Sequence, residues 1–209
     1  MLKKVAIGLA VVIVVLLGVI ATRPDTFRLE RSTQIAAPAE VVFANVNAFN
    51  RWAAWSPWEK LDLNMKKEYS GPASGAGAMY AWNGNDDVGS GKMTIVDSKP
   101  SERIDIKLEF LTPFEATNDT LFTFAPEETG TKVTWVMEGK NNFMAKAMHM
   151  VMDMDAMVGA DFEKGLASMK ALSEYQAQEL AKNAAIAANF AAAQAATIAT
   201  MPAPELKNP

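Results

Sequence analysis

The sequence predicts an α+β fold: a curved antiparallel sheet of about seven strands around a long C-terminal helix, preceded by an N-terminal transmembrane helix. Three observations predict it. A charge-free apolar run, Val5 to Ala21, opens the chain. Strand-like segments separated by turn residues then follow one another as far as Gly139. After Asn141-Asn142 the apolar period changes from that of a strand to that of a helix.

The opening run, VAIGLAVVIVVLLGVIA, includes Val5, Val12, Leu16 and Ala21. As a helix it reaches about 25 Å, just under a hydrocarbon core. Valine and isoleucine are poor helix formers in water, but in lipid unsatisfied backbone groups cost more, so the helix wins. Lys3 and Lys4 precede it and favour a cytoplasmic N-terminus; Arg23, Arg28 and Arg31 follow and weaken that bias. The expectation is a single-pass anchor with its N-terminus inside and the domain outside the cytoplasm, on the periplasmic side in a bacterial cell. A cleaved signal peptide is the alternative, since Val19 and Ala21 resemble a cleavage site; the run exceeds the usual h-region.

Residues 1–26 are thus read as anchor and linker, 27–175 as the folded domain, and 176–209 as an Ala-rich helical extension with a disordered tail. Phe27 to Ile35 reads as a first strand. Pro38 opens a helix to Val46, and Phe49 to Trp55 reads as a second short helix. Strands follow at Met65 to Tyr69, Ala76 to Trp82 and Gly89 to Ser98, with Asn83-Gly84 as a hairpin signal. Arg103 to Phe110 alternates cleanly, its Ile104, Ile106, Leu108 and Phe110 opposing four charged residues. Phe114 to Phe124 and Thr131 to Gly139 form a further hairpin. Phe143, Ala147, Met150, Met154, Val158, Phe162, Leu166, Met169 and Leu172 recur at helical spacing, with a break around Asp153 to Asp155 and an end near Tyr175. Gln176 to Thr200 favours helix but has few large apolar residues, which predicts a peripheral or frayed one. Met201 to Pro209, with three prolines, reads as the disordered tail.

Hairpin turns exclude a parallel doubly wound sheet. The sheet must cover its apolar face, and the last amphipathic helix is the available cover. A sheet gripping one helix can leave a cavity suited to a small apolar ligand.

Composition limits the function classes. The chain has 209 residues and a net charge of −4, without the basic cluster that nucleic-acid binding requires. It contains no cysteine, which removes disulfides, thiol nucleophiles and Cys-zinc sites, and one histidine, His149, which removes a His-rich metal site. No metal site and no cofactor is expected. The scattered glycines lack the strand–glycine–helix context of a phosphate loop and fit sheet curvature instead.

The stretches IAAPAEVVFANVNAFNRWAAWSPW, YSGPASGAGAMYAWNGNDDVGSGKMTI, GTKVTWVMEG and GADFEKGLASMK resemble, in this order, the membrane-associated START-like polyketide cyclase/dehydrase proteins of the SRPBCC superfamily. The resemblance runs from about Phe27 to Tyr175. It implies a helix-grip fold with a hydrophobic interior. It does not imply catalysis, because that family mixes lipid carriers, binding modules and a few cyclases.

The expected function is that of a membrane-tethered binding domain for a lipid or other hydrophobic small molecule. Tyr80, Trp82, Phe110, Trp135 and Met137 are the expected cavity wall, and Met148 and Met152 part of its lid. Aromatic side chains offer apolar faces with polar tips, and methionines adapt to varied shapes. The competing reading of each is ordinary core. Trp52 and Trp55 are expected as cover for the sheet mouth, and Trp58 as exposed there. An enzyme of cyclase, dehydratase or hydrolase type is a second reading, with Tyr80, Asn118 and His149 as polar groups. Asp153, at i+4 from His149, could orient that ring, although Asp153 and Asp155 read more simply as a solvated helix start. A third reading is an envelope interaction protein with a filled core, the Ala-rich extension being its partner surface. The sequence names no protein partner.

Overall fold

The computed structural model describes residues 1–200, without the side chains of 149 and 197–200. The expected tail, 201–209, lies outside the described residues. The first helix, α1, spans Leu2–Ala21, longer than the apolar run because Lys3 and Lys4 join it. Its 20 residues reach about 30 Å. None of them is buried, and the helix is long and apolar enough to cross a membrane.

A seven-stranded antiparallel sheet has the order β1-β7-β6-β5-β4-β3-β2. The strands are β1 (Thr26–Ile35), β2 (Lys66–Ser70), β3 (Met79–Asn83), β4 (Ser90–Lys99), β5 (Arg103–Thr112), β6 (Ala116–Glu127) and β7 (Gly130–Lys140). Five of the six pairings join sequence neighbours and the sixth joins β1 to β7, so the hairpins expected from the turn signals form. The Asn83-Gly84 signal marks a longer connection than a two-residue turn. Asp62 accepts a bond from the Asn85 amide (2.8 Å) and Gly84 donates to the Gly89 carbonyl (2.9 Å), shaping it.

Helix α2 (Ala39–Val46) starts after Pro38 and buries Val42, Phe43, Asn45 and Val46. Two 3₁₀ segments follow, Phe49–Ala54 and Pro57–Lys60; the second was not legible as an element. Helix α3 (Phe143–Val151) is capped by Asn142, whose side chain accepts from the Ala145 amide at 2.8 Å. The expected break then separates it from α4 (Met154–Thr200), and Asp153 Oδ1 accepts from the Ala156 amide at 2.9 Å.

Helix α4 does not stop near Tyr175. It runs unbroken for 47 residues, about 70 Å. Nothing between Tyr175 and Thr200 caps or breaks it, and alanine has the highest helix propensity. Its first half grips the sheet through Val158, Phe162, Leu166 and Met169. Beyond Ala177 the large apolar side chains Leu180, Ile186 and Phe190 are exposed. Gly165 explains how closely α4 approaches: a Cβ there would sit 3.0 Å from the Trp135 ring and 3.1 Å from Pro57 Cδ.

Candidate functional site

Between the concave face of the sheet and the helices lies a cavity of about 900 Å³. The sheet does not close onto the helix along its whole length. Ile95, Ile104, Phe122, Phe124 and Val133 make dry core with α2 and the middle of α4. Toward the other end, α3 and the start of α4 stand off from the sheet and leave the space. Phe114, Val151 and Met152 line it and are exposed, so the cavity opens there.

All seven side chains expected on a wall or lid face this cavity: Tyr80, Trp82, Phe110, Trp135 and Met137 from the sheet, Met148 and Met152 from the α3 segment. Strand alternation explains the sheet set, since β3, β5 and β7 each send every second residue inward. Trp82 lies across Gly91, where an added Cβ would come within 2.5 Å of its ring. Its Nε1 donates to the Val88 carbonyl at 3.1 Å, and its ring meets Phe110 edge-on at 5.9 Å. The methionines divide: Met148, Met150, Met152 and Met154 line the cavity, whereas Met144 and Met157 are exposed outside it.

Three tryptophan expectations are corrected. Trp55 is wholly buried in the core, its Nε1 donating to the Asn45 carbonyl at 3.0 Å. Trp52 is buried too, donating to the Val46 carbonyl at 2.9 Å, and only touches the cavity wall. Trp58 is half-buried rather than exposed, because its ring packs edge-on against Trp135 (5.7 Å) and Phe162 (6.1 Å).

One polar cluster on the wall was not foreseen. Glu59, from the second 3₁₀ segment, is buried; it accepts the Tyr80 hydroxyl at 2.8 Å and pairs with Lys67. Burial, reinforced by the bond to Glu59, drives the Tyr80 hydroxyl far above the ordinary tyrosine range. The phenol is therefore a committed donor, held neutral. Asn118 also lines the wall and makes one weak contact, Nδ2 to Met137 Sδ at 3.9 Å. Thr120 and Trp135 also line the cavity, but their Oγ1 and Nε1 atoms are buried within the packing behind it and have no hydrogen-bond partner among the described residues. His149 falls in α3, and its side chain lies outside the described residues.

Asp155 is not simply solvated. Arg31 reaches from β1 to Asp155 Oδ2 (3.1 Å) and to Glu163 (2.9 Å). Gly159 leaves room for it, since a Cβ there would lie 2.1 Å from the guanidinium. This strap fixes the first turns of α4 beside the cavity. Among the described residues, no group of three or more carboxylates or imidazoles converges as a metal site.

The linker to α1 is held beside the same end. Asn141 donates its backbone amide to the Asp25 carbonyl (2.8 Å) and its Nδ2 to the Pro24 carbonyl (3.1 Å). Lys146 of α3 pairs with Asp25, and that bond lowers the Asp25 carboxyl below its usual range.

A family model described as "Polyketide cyclase / dehydrase and lipid transport" matches residues 26–174. Solved structures share the fold. The chain is similar to protein CV1439 from Chromobacterium violaceum (19% identity, TM-score 0.52), covering 73% of this chain and 99% of that one. It is similar to the Aha1 protein from Colwellia psychrerythraea, solved as a dimer (15% identity, TM-score 0.52; 71% and 96% covered). It is also similar to the di-domain ARO/CYC StfQ of the steffimycin biosynthetic pathway (12% identity, TM-score 0.55), covering 73% of this chain and 52% of that one. At these identities the likeness establishes the fold alone. No curated protein matches the sequence.

Proposed function

The chain belongs to the polyketide cyclase/dehydrase and lipid transport family, and from that premise we propose that it is a membrane-tethered binding domain for a lipid or other hydrophobic small molecule. The observation that carries this reading is the cavity. Its volume, about 900 Å³, is at the upper end of the range for small-molecule sites, and aromatic and methionine side chains dominate its wall. A filled-core interaction protein would not leave such a space, because interiors otherwise pack to crystal-like density.

In this reading α1 is the anchor, and Lys3 and Lys4 keep its start in the cytoplasm. The domain then stands outside the cytoplasmic membrane. Asn141 and Lys146 clamp the short linker to the α3 end, so the opening beside Phe114, Val151 and Met152 stays near the bilayer. An apolar guest can exchange between lipid and cavity with little exposure to water, which lowers the cost of transfer. The flexible thioethers of Met148 and Met152 fit a wall that must yield during entry.

The test is extraction of the purified full chain with organic solvent, followed by mass spectrometry. One lipophile per chain is the expected result. A chain that carries none, and takes up none from lipid vesicles, would end the carrier reading.

A second reading, a cyclase-type enzyme, draws on the Tyr80–Glu59 pair, which places a neutral phenol donor at the wall. It requires turnover of an apolar substrate that Tyr80→Phe abolishes while the variant stays folded.

A further inference from the structure

The two ends of the sheet present different surfaces to solvent. Register gathers the start of β1, the end of β7 and the β5–β6 turn at one end: Thr26 pairs with Lys140, and Asn118 with Gly139. That end exposes Leu111 and Phe114 around the turn, and Phe143 (51%), Met144 (56%) and Val151 (83%) on α3. The opposite end carries the turns 99–103 and 127–130, which expose Lys99, Glu102, Glu127 and Glu128 and no large apolar side chain. Large apolar side chains exposed together mark a surface that meets something other than water.

In α3, Phe143, Met144, Ala147 and Val151 stand at i, i+1, i+4 and i+8 and share one outward stripe. Lys146 is turned away from that stripe, buried and paired with Asp25. The polar outer face of an ordinary surface helix is thus replaced by an apolar one. The chain itself fixes where this stripe lies. Thr22 to Asp25 join α1 to β1, and a linker of that length spans at most about 14 Å. Asn141 and Lys146 bond to Pro24 and Asp25, so α3 lies at the level where α1 ends, and the two helices lie close together. Within α1, Ile20 is partly covered and the other residues are exposed. The headgroup layer outside a hydrocarbon core is about 5–8 Å deep, within the reach of this linker.

We propose that α3 and the β5–β6 turn form a second membrane contact: the outward stripe of α3 lies in the interface of the same bilayer that α1 crosses, with Phe114 beside it. A helix with one apolar face, lying in the interface plane, buries that face about 5–10 Å deep. The occupant is lipid because α1 holds the bilayer against this face. Charges around the stripe are mixed, Arg23 and Lys140 standing with Glu115 and Asp153, so apolar burial and not headgroup charge supplies the attraction. The β3–β4 loop at the same end carries exposed Asp86 and Asp87 and stays in water, so the domain leans toward the membrane on its β1–β7 side. The contact rests on the reading of α1 as a membrane anchor and does not depend on a guest in the cavity.

The chain has no cysteine, so a single introduced cysteine carries the only label. Phe114→Cys, Met144→Cys and Val151→Cys, with Asp86→Cys, Glu102→Cys and Glu128→Cys as controls, are spin-labelled in the full chain and reconstituted in phosphatidylcholine vesicles. All six side chains are exposed, so their replacement leaves the core intact. Collision of each label with oxygen, which concentrates in lipid, is compared with its collision with a water-soluble nickel chelate. The oxygen-to-nickel ratio is expected to be roughly threefold or more higher at 114, 144 and 151 than at the controls, and unchanged by added salt. Adding Phe143→Asp to the stripe should lower the ratio at 144 and 151 roughly twofold. Control-like ratios at 114, 144 and 151 would overturn the contact while leaving a co-purifying lipophile, and with it the carrier reading, untouched. Labels shielded from both oxygen and nickel would place a protein or a second copy on the face and overturn it equally. A chain that separates from the vesicles on flotation would remove the anchor, the contact and the membrane tether together.

Discussion

Trp135 of β7 and Phe162 of α4 lie face to face, 3.8 Å between centroids with ring planes 11° apart. This contact is the hinge between dry core and cavity. On one side, the rings of Phe122, Trp55 and Trp52 pack around Trp135; on the other, the wall opens. Phe162→Ala should therefore cost about 3–5 kcal/mol, since it removes a buried ring and enlarges a space that cannot collapse. Chemical denaturation of the full chain in detergent measures this; a loss below about 1 kcal/mol would mean that the stack does not hold the helix to the sheet.

Gly165 is predicted to resist alanine. Alanine in place of glycine inside a helix normally stabilises by about 1 kcal/mol. Here the new methyl would press on Trp135 and Pro57, and Trp135 is held between Phe162 and Phe122 and cannot retreat. Gly165→Ala is expected to lower stability by about 1 kcal/mol net, with overpacking the dominant effect. Gly8 has open space around it in α1 and provides the contrast, where alanine should be tolerated.

Tyr80 gives the pH prediction. Its hydroxyl is raised far above the tyrosine range by burial and by Glu59. Above a pH of about 10 the unfolded chain loses that proton while the native state keeps it. The native state then binds more protons, so stability falls as pH rises past that value and is fully present below it. Ultraviolet titration should leave Tyr80 un-ionised until the fold is lost, and Tyr80→Phe should flatten that part of the alkaline stability loss. Reversible ionisation of all three tyrosines in the folded chain would contradict it.

Much of the architecture is written in local pattern. Alternation in Ile104, Ile106, Leu108 and Phe110 gives a half-buried strand, and the shift to helical spacing after Asn142 gives α3 and α4. The aromatic and methionine wall was legible because inward positions follow from strand and helix periods. Thr120 was within reach, for it shares period two with Asn118, Phe122 and Phe124. Glu59 was not: its role comes from Tyr80, 21 residues on, through a contact that no local period encodes. Arg31 is a similar case, since its partners in α4 lie 124 and 132 residues away. The helical state of the Ala-rich segment was legible from its propensity, whereas its unbroken continuation of α4 past Tyr175 was not, since a segment without a docking face gives no sign of where the gripping helix ends.

A blocking substitution separates cavity from core. Leu108 lies on the cavity wall, half-buried. Adding volume to a packed core costs about 1–3 kcal/mol. Beside empty space the cost should fall toward zero, so Leu108→Trp is expected to fold with nearly unchanged melting temperature while losing its guest. A drop comparable to that of Phe162→Ala would show that the region around Leu108 is packed.

Native mass spectrometry of the full chain, released from detergent after purification from a lipid-rich membrane extract, tests the central claim most directly. The account predicts one bound lipophile per chain in the unaltered protein and a bare chain for Leu108→Trp. A bare chain in both, or equal adducts in both, would contradict a guest held between the sheet and α4.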